Sequence, residues 1–360
     1  MGGATGLIGD PSGKSDERVL NSPEVVAGWV ERIRAEVSHY LDFTDGPAAA
    51  TVVSNLDWTG QLSALDFLRD IGKYFPVNQM LSREVVKARL EAGGISYTEF
   101  SYQVLQANDF LELHRRDNCT VQLGGSDQWG NLVAGVDLIR RVTGDSVHAL
   151  AIPLITKPDG TKYGKTAGEA VWLSPELMSP YRFYQFWINR TDAEMPLLLR
   201  VFSFRGRSEI EELERETAAR PAARAAQRAL AEEMTTLVHD AEELARVVAA
   251  SQALFGQGNL RELDSATLAA ALAEVPSAPL DASEVRAEGL PPVADLMHAA
   301  GIVTSKSDAR RVIAEGGAYL NNVKVSAQDA APTPDDLLDG RFLVLRRGKR
   351  TVGGIEVRSG

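Results

Sequence analysis

Three lysines lie in one short loop, Lys157-Pro158-Asp159-Gly160-Thr161-Lys162-Tyr163-Gly164-Lys165-Thr166. Its proline and two glycines break regular structure, and glycine lets a backbone approach a ligand closely. The apolar run 149–155 before it predicts a buried strand. Open α/β sheets bind ligands at the carboxyl ends of their strands, so Lys162 and Lys165 could stabilise charge on a reacting polyphosphate. The alternative is a solvated charged turn.

A second strand-to-helix turn lies upstream, at Gln122-Leu123-Gly124-Gly125-Ser126-Asp127-Gln128-Trp129-Gly130-Asn131. Its paired glycines permit close approach of the backbone, and the amino terminus of the helix that follows favours an anion. The simpler interpretation is an ordinary helix cap at Ser126 or Asp127. Both loops occurring in one α/β chain favours a nucleotide site.

Tyr102, Gln106 and Asp109 follow the spacing i, i+4, i+7 and share one face of a predicted helix at 97–116. This polar face is either a solvated stripe or one wall of a pocket for an amino acid. Such a pocket needs acceptors for the ligand's ammonium group, and a phenol ligand needs a partner for its hydroxyl.

Three folded blocks and a linker are predicted to position these residues. In 1–180, strand-like runs (49–54, 120–123, 149–155) alternate with helical patterns (22–41, 97–116, 127–141), which predicts a parallel α/β sheet. The stretch 181–255 is rich in Ala, Glu, Leu and Arg and predicts a helical domain. A linker with one short helix at 265–273 spans 256–292, and 293–360 predicts two helices followed by strands at 318–325 and 341–345.

Composition indicates a globular protein that is neither exported nor embedded in a membrane. The 360-residue chain has a net charge of −11, which disfavours non-specific coating of DNA or RNA. Cys119 is the only cysteine, so a disulfide within the chain is impossible and a reducing compartment is expected. Because the chain has neither a signal-like start nor an apolar run of about 18 residues, we expect a cytoplasmic protein. We predict no metal site.

Together the two loops resemble the bacterial-type tyrosyl-tRNA synthetases of class I. The likeness extends from Gly2-Gly3-Ala4-Thr5-Gly6-Leu7-Ile8-Gly9-Asp10-Pro11 to the carboxyl-terminal tail. It implies a Rossmann-like catalytic domain that is incomplete at its amino end, since the family's first strand and His-x-Gly-His motif are missing from this sequence. The five histidines (His39, His114, His148, His239 and His298) form no such pair. We therefore expect slower activation by this chain than by a version with that motif.

The resemblance implies a role for each candidate residue. For tyrosine, Tyr102, Gln106 and Asp10 would hold the ammonium group, Asp109 would receive the phenol hydroxyl, and Gln122, Gln128 and Asn55 would line the pocket. For ATP with Mg²⁺, the binding residues would be Lys162, Lys165, Gly125 and Asp127. Lys14 and Arg18 would face pyrophosphate as further catalytic residues. Their alternative is a charged loop near a frayed terminus.

The basic tail suits a phosphate backbone. Its candidates for RNA contact are Lys306, Arg310, Arg311, Arg346, Arg347, Lys349 and Arg350. The two helices followed by strands resemble an S4-type RNA-binding module, and the family implies tRNA(Tyr) as the partner of a homodimer. Solvated surface is the alternative. Two rival functions stay open: a non-catalytic RNA-binding relative, and a tryptophanyl enzyme, which Asp109 disfavours because an indole offers no hydroxyl.

Overall fold

The computed structural model describes residues 1–8, 21–161, 163, 170–287 and 289–358, without the side chains of residues 84, 85 and 92. The chain divides into two compact units, one that contains Met1–Thr156 and one that contains the chain from Tyr163 onward. Among the described residues, no helix is both long and apolar enough to cross a membrane.

The first unit contains helices and a small parallel sheet. The helices are α1 (Thr5–Ile8), α2 (Pro23–Val37), α3 (Leu56–Thr59), α4 (Ala64–Asp66), α5 (Val77–Leu81), α6 (Glu84–Ala92), α7 (Tyr97–Asp117) and α8 (Trp129–Thr143). Strands β1 (Val121–Gly125) and β2 (His148–Ile152) pair in parallel, with Leu123 opposite Leu150. Phe110 of α7 is fully buried against Gly135 of α8. A Cβ on Gly135 would lie 2.9 Å from the Phe110 ring, so glycine lets the two helices approach.

Local signals in the sequence located most of these elements. The Ser22 side chain accepts a hydrogen bond from the Val25 amide and begins α2, as the Ser22-Pro23 pair predicts. The helix predicted at 97–116 is α7. Two predictions are wrong: residues 49–54 form no strand, and β2 is not buried, since its residues alternate between exposed and half-buried. Within the described residues β1 and β2 pair only with each other, and Leu123 and Leu150, which lie opposite each other, are exposed.

The second unit begins with helices alone, which confirms the helical prediction for 181–255. They are α9 (Pro180–Ile188), α10 (Met195–Phe202), α11 (Arg207–Ala219), α12 (Ala225–Leu254) and α13 (Ser265–Leu272). Helix α12 breaks at Asp240, where φ is 76°. The Asp240 carboxylate accepts from the amides of Glu242 and Glu243 and so caps the second half of the helix.

A five-stranded sheet with two helices completes the second unit. Its elements are β3 (Ser277–Asp281), α14 (Val293–Ala299), α15 (Lys306–Ala314), β4 (Ala318–Leu320), β5 (Val323–Lys324), β6 (Phe342–Arg347) and β7 (Thr351–Arg358), in the sheet order β3-β7-β6-β4-β5. Strand β3 lies within the stretch predicted as linker, and β7 was not predicted. The linker prediction is therefore wrong for 277–281, which pair in parallel with β7.

Short 3₁₀ and π segments join these elements. The 3₁₀ segments are Gly72–Tyr74, Ser126–Gln128, Pro221–Ala223, Leu260–Glu262, Ala282–Glu284 and Pro334–Asp336, and Phe67–Ile71 forms a π turn. The segment Ser126–Gln128 connects β1 directly to α8, so the polar turn predicted from sequence lies where a strand ends and a helix begins.

Candidate active site

Helix α7 presents one open polar face and one buried apolar face. Tyr102, Gln106 and Asp109 are each half-exposed, whereas Val104 and Phe110 are buried. The three polar side chains thus lie on the accessible side of the helix, as their spacing predicts.

Two donors hold the Asp109 carboxylate. The Trp58 indole Nε1 donates to Oδ1 and the Asn55 Nδ2 donates to Oδ2, both at 2.8 Å. Burial raises the pKa of Asp109, and these two hydrogen bonds oppose that rise. A carboxylate has about four lone-pair sites, so each oxygen can still accept a further donor such as a phenol hydroxyl.

Asn55 is held beside Asp109 by its own hydrogen bonds. It is buried, its Oδ1 accepts from the Ala4 amide at 2.7 Å, and its Nδ2 also donates to the Thr5 hydroxyl at 3.0 Å. The structure therefore places Asn55 beside Asp109, with its side chain fully engaged by protein groups. Sequence reasoning missed Trp58, although it follows Asn55 by three residues and so lies one helical turn away.

Asn131 brings two of the predicted glutamines together. Its Nδ2 donates to Gln106 Oε1 at 3.0 Å and to Gln128 Oε1 at 3.1 Å. The polar face of α7 is thereby joined to the beginning of α8. Asn131 was not among the predicted site residues, yet it follows Gln128 by three residues, the spacing at which helical side chains meet.

Glycines shape the turn between β1 and α8. A Cβ on Gly125 would lie 2.8 Å from the Asp127 carboxylate and 3.0 Å from the Leu154 side chain, so a larger residue would require both side chains to shift. Asp127 itself is exposed at the end of the strand, where it could accept from a hydroxyl of a ligand. The Gln122 amide oxygen is buried and has no hydrogen-bond partner among the described residues. Such groups are uncommon and often indicate a functional site.

Several predicted residues lie outside the described residues: Asp10, Lys14, Arg18, Lys162 and Lys165. Their roles remain predictions. The described residues contain no group of three or more His, Cys, Asp or Glu side chains that could hold a metal ion.

The predicted RNA-contacting cations of the second unit divide into three kinds. Arg310, Lys349 and Arg350 are exposed. Lys306 pairs with Asp295 at 2.8 Å, while Arg311 and Arg347 pair with Asp308 at 2.6 and 3.3 Å. These pairs leave the charges near the surface.

Arg346 is the exception and corrects the prediction. It is buried, its guanidinium carbon lies 4.1 Å from the centre of the Tyr319 ring, and its Nη1 donates to the Gly348 carbonyl at 3.0 Å. Because the arginine stacks inside the second unit, it stabilises the fold and has little surface left for RNA. A run of cations in sequence does not distinguish a stacked arginine from a free one.

Comparisons with known proteins identify the family. Residues 1–256 match the family "tRNA synthetases class I (W and Y)", and residues 268–352 match the "Tyrosine--tRNA ligase SYY-like C-terminal domain". The chain is 61% identical to a tyrosine–tRNA ligase of Streptomyces avermitilis, over 100% of this chain and 84% of the relative. A Mycobacterium bovis tyrosine–tRNA ligase is 52% identical, over 99% of this chain and 82% of the relative.

A solved structure also resembles the fold. It is a C-terminally truncated mitochondrial tyrosyl-tRNA synthetase of Aspergillus nidulans, which is 28% identical with a TM-score of 0.59 and covers 68% of this chain and 73% of its own. With a family match over more than half of its length and relatives above 50% identity, the chain belongs to the class I tRNA synthetases of the tryptophan and tyrosine group.

Proposed function

We propose that this chain is a tyrosine–tRNA ligase, which activates L-tyrosine with ATP to tyrosyl-AMP and pyrophosphate and then transfers tyrosine to the 3′ end of tRNA(Tyr). The Asp109 carboxylate, held by Asn55 and Trp58 on the open face of α7, is the observation that carries the proposal. Relatives named tyrosine–tRNA ligases match the chain from end to end, which favours a ligase over a non-catalytic RNA-binding relative.

Asp109 is suited to receive the phenol hydroxyl of tyrosine. Its two protein donors fix the orientation of the carboxylate and leave one lone pair on each oxygen. A hydroxyl that donates to a carboxylate in a partly buried site forms a strong hydrogen bond. Phenylalanine cannot form it and would leave the buried oxygen without that partner.

In the activation of tyrosine, the protein mainly positions the substrates and stabilises negative charge. The tyrosine carboxylate attacks the α-phosphate of ATP in line, and pyrophosphate leaves. We assign the ammonium group of tyrosine to Tyr102, Gln106 and Asp10. Lys162 and Lys165, with Lys14 and Arg18, would stabilise the negative charge on the departing pyrophosphate. Gly125 lets the backbone approach the nucleotide, and Asp127 accepts from its ribose.

We assign Mg²⁺ to the phosphates of ATP and not to a protein cage. Magnesium keeps several of its waters and usually binds through substrate phosphates. We further propose a cytoplasmic homodimer, by analogy with the family.

The specificity test compares tyrosine with phenylalanine in Asp109→Ala. We expect tyrosine-dependent pyrophosphate exchange to lose kcat/KM far more than the phenylalanine-dependent reaction. Selection of tyrosine over phenylalanine is the known example of this rule, and the size of the loss, on the order of 10⁴-fold, is taken from it. Asp137→Ala is the control, because Asp137 pairs with Arg140 on the surface of α8. Equal losses for both amino acids in Asp109→Ala would make Asp109 structural.

A truncation tests the proposed tRNA contact. Strand β3 belongs to the carboxyl-terminal sheet, so the cut should follow residue 275 and remove the sheet completely. We expect pyrophosphate exchange to persist and tRNA charging to fall by roughly 100-fold or more, because the phosphate contacts that supply most binding energy are lost. A cut after residue 288 is the comparison, since it leaves β3 without β7. Full charging by the shorter chain would contradict the assignment.

A further inference from the structure

Inside the second unit, the last turn of α12 contacts the C-terminal module, which is the five-stranded sheet with its two helices (residues 277–358). The Asn322 side chain donates through Nδ2 to the Ala253 carbonyl at 2.6 Å, across 69 positions of the chain. Ala253 lies in the last turn of α12 and is 1% exposed. The Asn322 Oδ1 is buried and has no hydrogen-bond partner among the described residues. The amide group therefore lies inside the contact, shielded from water.

The turn that carries Asn322 does not itself need an asparagine at this position. Asn321 and Asn322 are the two residues between β4 and β5, where Leu320 pairs with Val323. Their φ angles are 46° and 68°. A type I′ turn requires positive φ at both central residues, and glycine is the favoured second residue. The side chain of Asn322 thus serves the contact with α12 and not the hairpin.

The preceding asparagine has a different task. Asn321 Oδ1 accepts from the Val344 amide at 2.9 Å, and its Nδ2 donates to the Asp336 carbonyl at 2.5 Å. Both partners belong to the C-terminal module. Two adjacent asparagines with similar backbone conformations therefore divide the work, since the first joins parts of the module and the second reaches α12.

A second contact between the module and the end of α12 involves Arg346. Gly256 follows the helix by two residues with a φ of 85°, and a Cβ there would lie 2.9 Å from Nη2 and 3.1 Å from Cζ of Arg346. The last carbonyl groups of a helix and its dipole stabilise a nearby cation. Arg346 is also fixed within the module by its stacking on Tyr319. Its guanidinium therefore gives the module a second point of contact with the helix end.

We propose that Asn322 is a positioning residue that fastens the C-terminal module to the end of α12, with the Arg346–Gly256 contact beside it. The module also carries the exposed cations Arg310, Lys349 and Arg350. Fastening the module fixes where these cations lie relative to the helical part of the second unit. A module held in one orientation need not be ordered during binding, and avoiding that cost improves affinity. The consequence for tRNA rests on the proposed function, whereas the attachment does not.

Hydrogen exchange measured by mass spectrometry reads out the attachment without any substrate. Asn322→Gly deletes the side chain and supplies the residue that the turn favours, so the hairpin should stay intact. The amides of Gly256 and Gln257 donate to carbonyls in the last turn of α12. We expect both amides to exchange about fivefold faster in the variant, as loss of one hydrogen bond implies. Unchanged exchange there, or an equal acceleration in β6, would overturn the proposal.

Asn321→Gly is the matched control, because it deletes the same side chain one residue earlier. It removes two hydrogen bonds within the module, and the Val344 amide of β6 loses an acceptor. We therefore expect the reverse pattern, with strong acceleration in β6 and a weaker effect at the end of α12. The same pattern in both variants would assign the effect of Asn322→Gly to general loosening of the module and defeat the proposal.

Gly256→Ala tests the second contact from the side of the helix. The added methyl group would displace the Arg346 guanidinium and would also strain the backbone. Gly144→Ala is the control, since Gly144 ends α8 with a φ of 84° and its Cβ would meet nothing within 4 Å. We expect the KM for tRNA to rise several-fold in Gly256→Ala and to stay unchanged in Gly144→Ala. Equal rises would assign the effect to backbone strain and remove the second contact from the proposal.

Aminoacylation kinetics distinguish failure of this inference from failure of the proposed function. In Asn322→Gly we expect the KM for tRNA to rise about fivefold, with kcat unchanged, since one hydrogen bond that orients the module is lost. Pyrophosphate exchange should keep its wild-type kcat and KM for tyrosine, because activation does not involve the module. A wild-type protein that neither exchanges pyrophosphate nor charges tRNA would reject the proposed function, while hydrogen exchange would still judge the attachment. Normal charging combined with faster exchange at the end of α12 would overturn the positioning role.

Discussion

The two sheets of this protein contrast sharply in how they treat apolar side chains. In the first unit, Leu123 of β1 and Leu150 of β2 are paired neighbours that are 62% and 54% exposed. In the second unit, Leu343, Val344 and Leu345 of β6 are completely buried. Helices α14 and α15 belong to the same core cluster as Leu343 and Leu345. The central strand of the second sheet is therefore shielded from water, and the described part of the first sheet is open.

This difference indicates which parts of the first unit suit ligand binding and which parts stabilise it. The open sheet ends in the Gly124-Gly125 turn and lies in the same unit as the half-exposed polar face of α7, and such segments suit ligands. Stability of the first unit must then come from elsewhere, namely the packing of α7 against α8 and a buried ion pair. In that pair, Arg89 of α6 donates to Glu99 of α7 at 2.7 Å, with 9% and 3% of the two side chains exposed.

The largest expected effect tests whether the first unit depends on that pair. Glu99→Gln leaves the Arg89 guanidinium buried beside a neutral group, so the free energy of unfolding should fall by about 3–5 kcal/mol. Urea unfolding monitored by circular dichroism measures the change. Glu112→Gln is the control, because Glu112 pairs with Arg115 and Arg116 on the same helix, and these arginines are 48% and 46% exposed. Equal, small effects in both variants would show that the Arg89–Glu99 ion pair does not stabilise the first unit.

The same substitution in each sheet tests the contrast in burial. Leu343→Ala creates a cavity in a closed core and should cost about 2–5 kcal/mol of unfolding free energy. Leu123→Ala removes a side chain that is mostly in water and should change stability by about 0.5 kcal/mol or less. Urea unfolding of both variants under identical conditions gives the comparison. A large loss in Leu123→Ala would mean that the open face of β1 is covered in solution.

The sequence predicted the features that depend on local spacing. Helix α7 and its polar face follow from a repeat of three to four residues, and the start of α2 follows from Ser22 before Pro23. The position of the Gly124-Gly125 turn between a strand and a helix also follows from neighbouring residues. These signals depend on neighbouring residues, so they can be read from the sequence without knowledge of the tertiary structure.

Tertiary contacts account for what the sequence did not predict. Trp58 donates to Asp109 across 51 positions of the chain, which no local pattern reveals. Strand β3 was taken for linker because it contains Ser, Pro and Ala, and its structure depends on pairing with the distant strand β7. In the sequence Arg346 is one cation of a basic run, and only the structure shows that it stacks on Tyr319 in the interior.

A surface contact in the first unit provides the smallest expected effect. His114 near the end of α7 contacts the Cys119 carbonyl through Nδ1 and the Asp145 carboxylate through Nε2, both at 3.0 Å. Both partners accept hydrogen bonds, so the doubly protonated imidazolium suits this position. The hydrogen bond with Asp145 and then that with Cys119 raise the pKa of His114 above its ordinary 6.5. Hydrogen bonding to the imidazolium lowers the pKa of Asp145.

The sign of the pH dependence follows from these two shifts. Because the folded pKa of His114 is the higher one, its stabilisation is fully present below pH 6.5 and is lost as the pH rises through the folded value. His114→Gln should therefore lower the free energy of unfolding by a few tenths to about 1 kcal/mol at pH near 5.5, with a smaller loss at pH near 8.5. Asp145, which is 59% exposed, limits the size of the effect.

Asp145→Asn should reduce the same pH dependence, since it removes the charged partner while keeping the imidazole. Urea unfolding of the three proteins at both pH values measures it. A His114→Gln loss that is equal at the two pH values would show that the ring stabilises the protein by packing. The comparison between the buried ion pair and the weaker surface pair would then depend on the Glu99 variant alone.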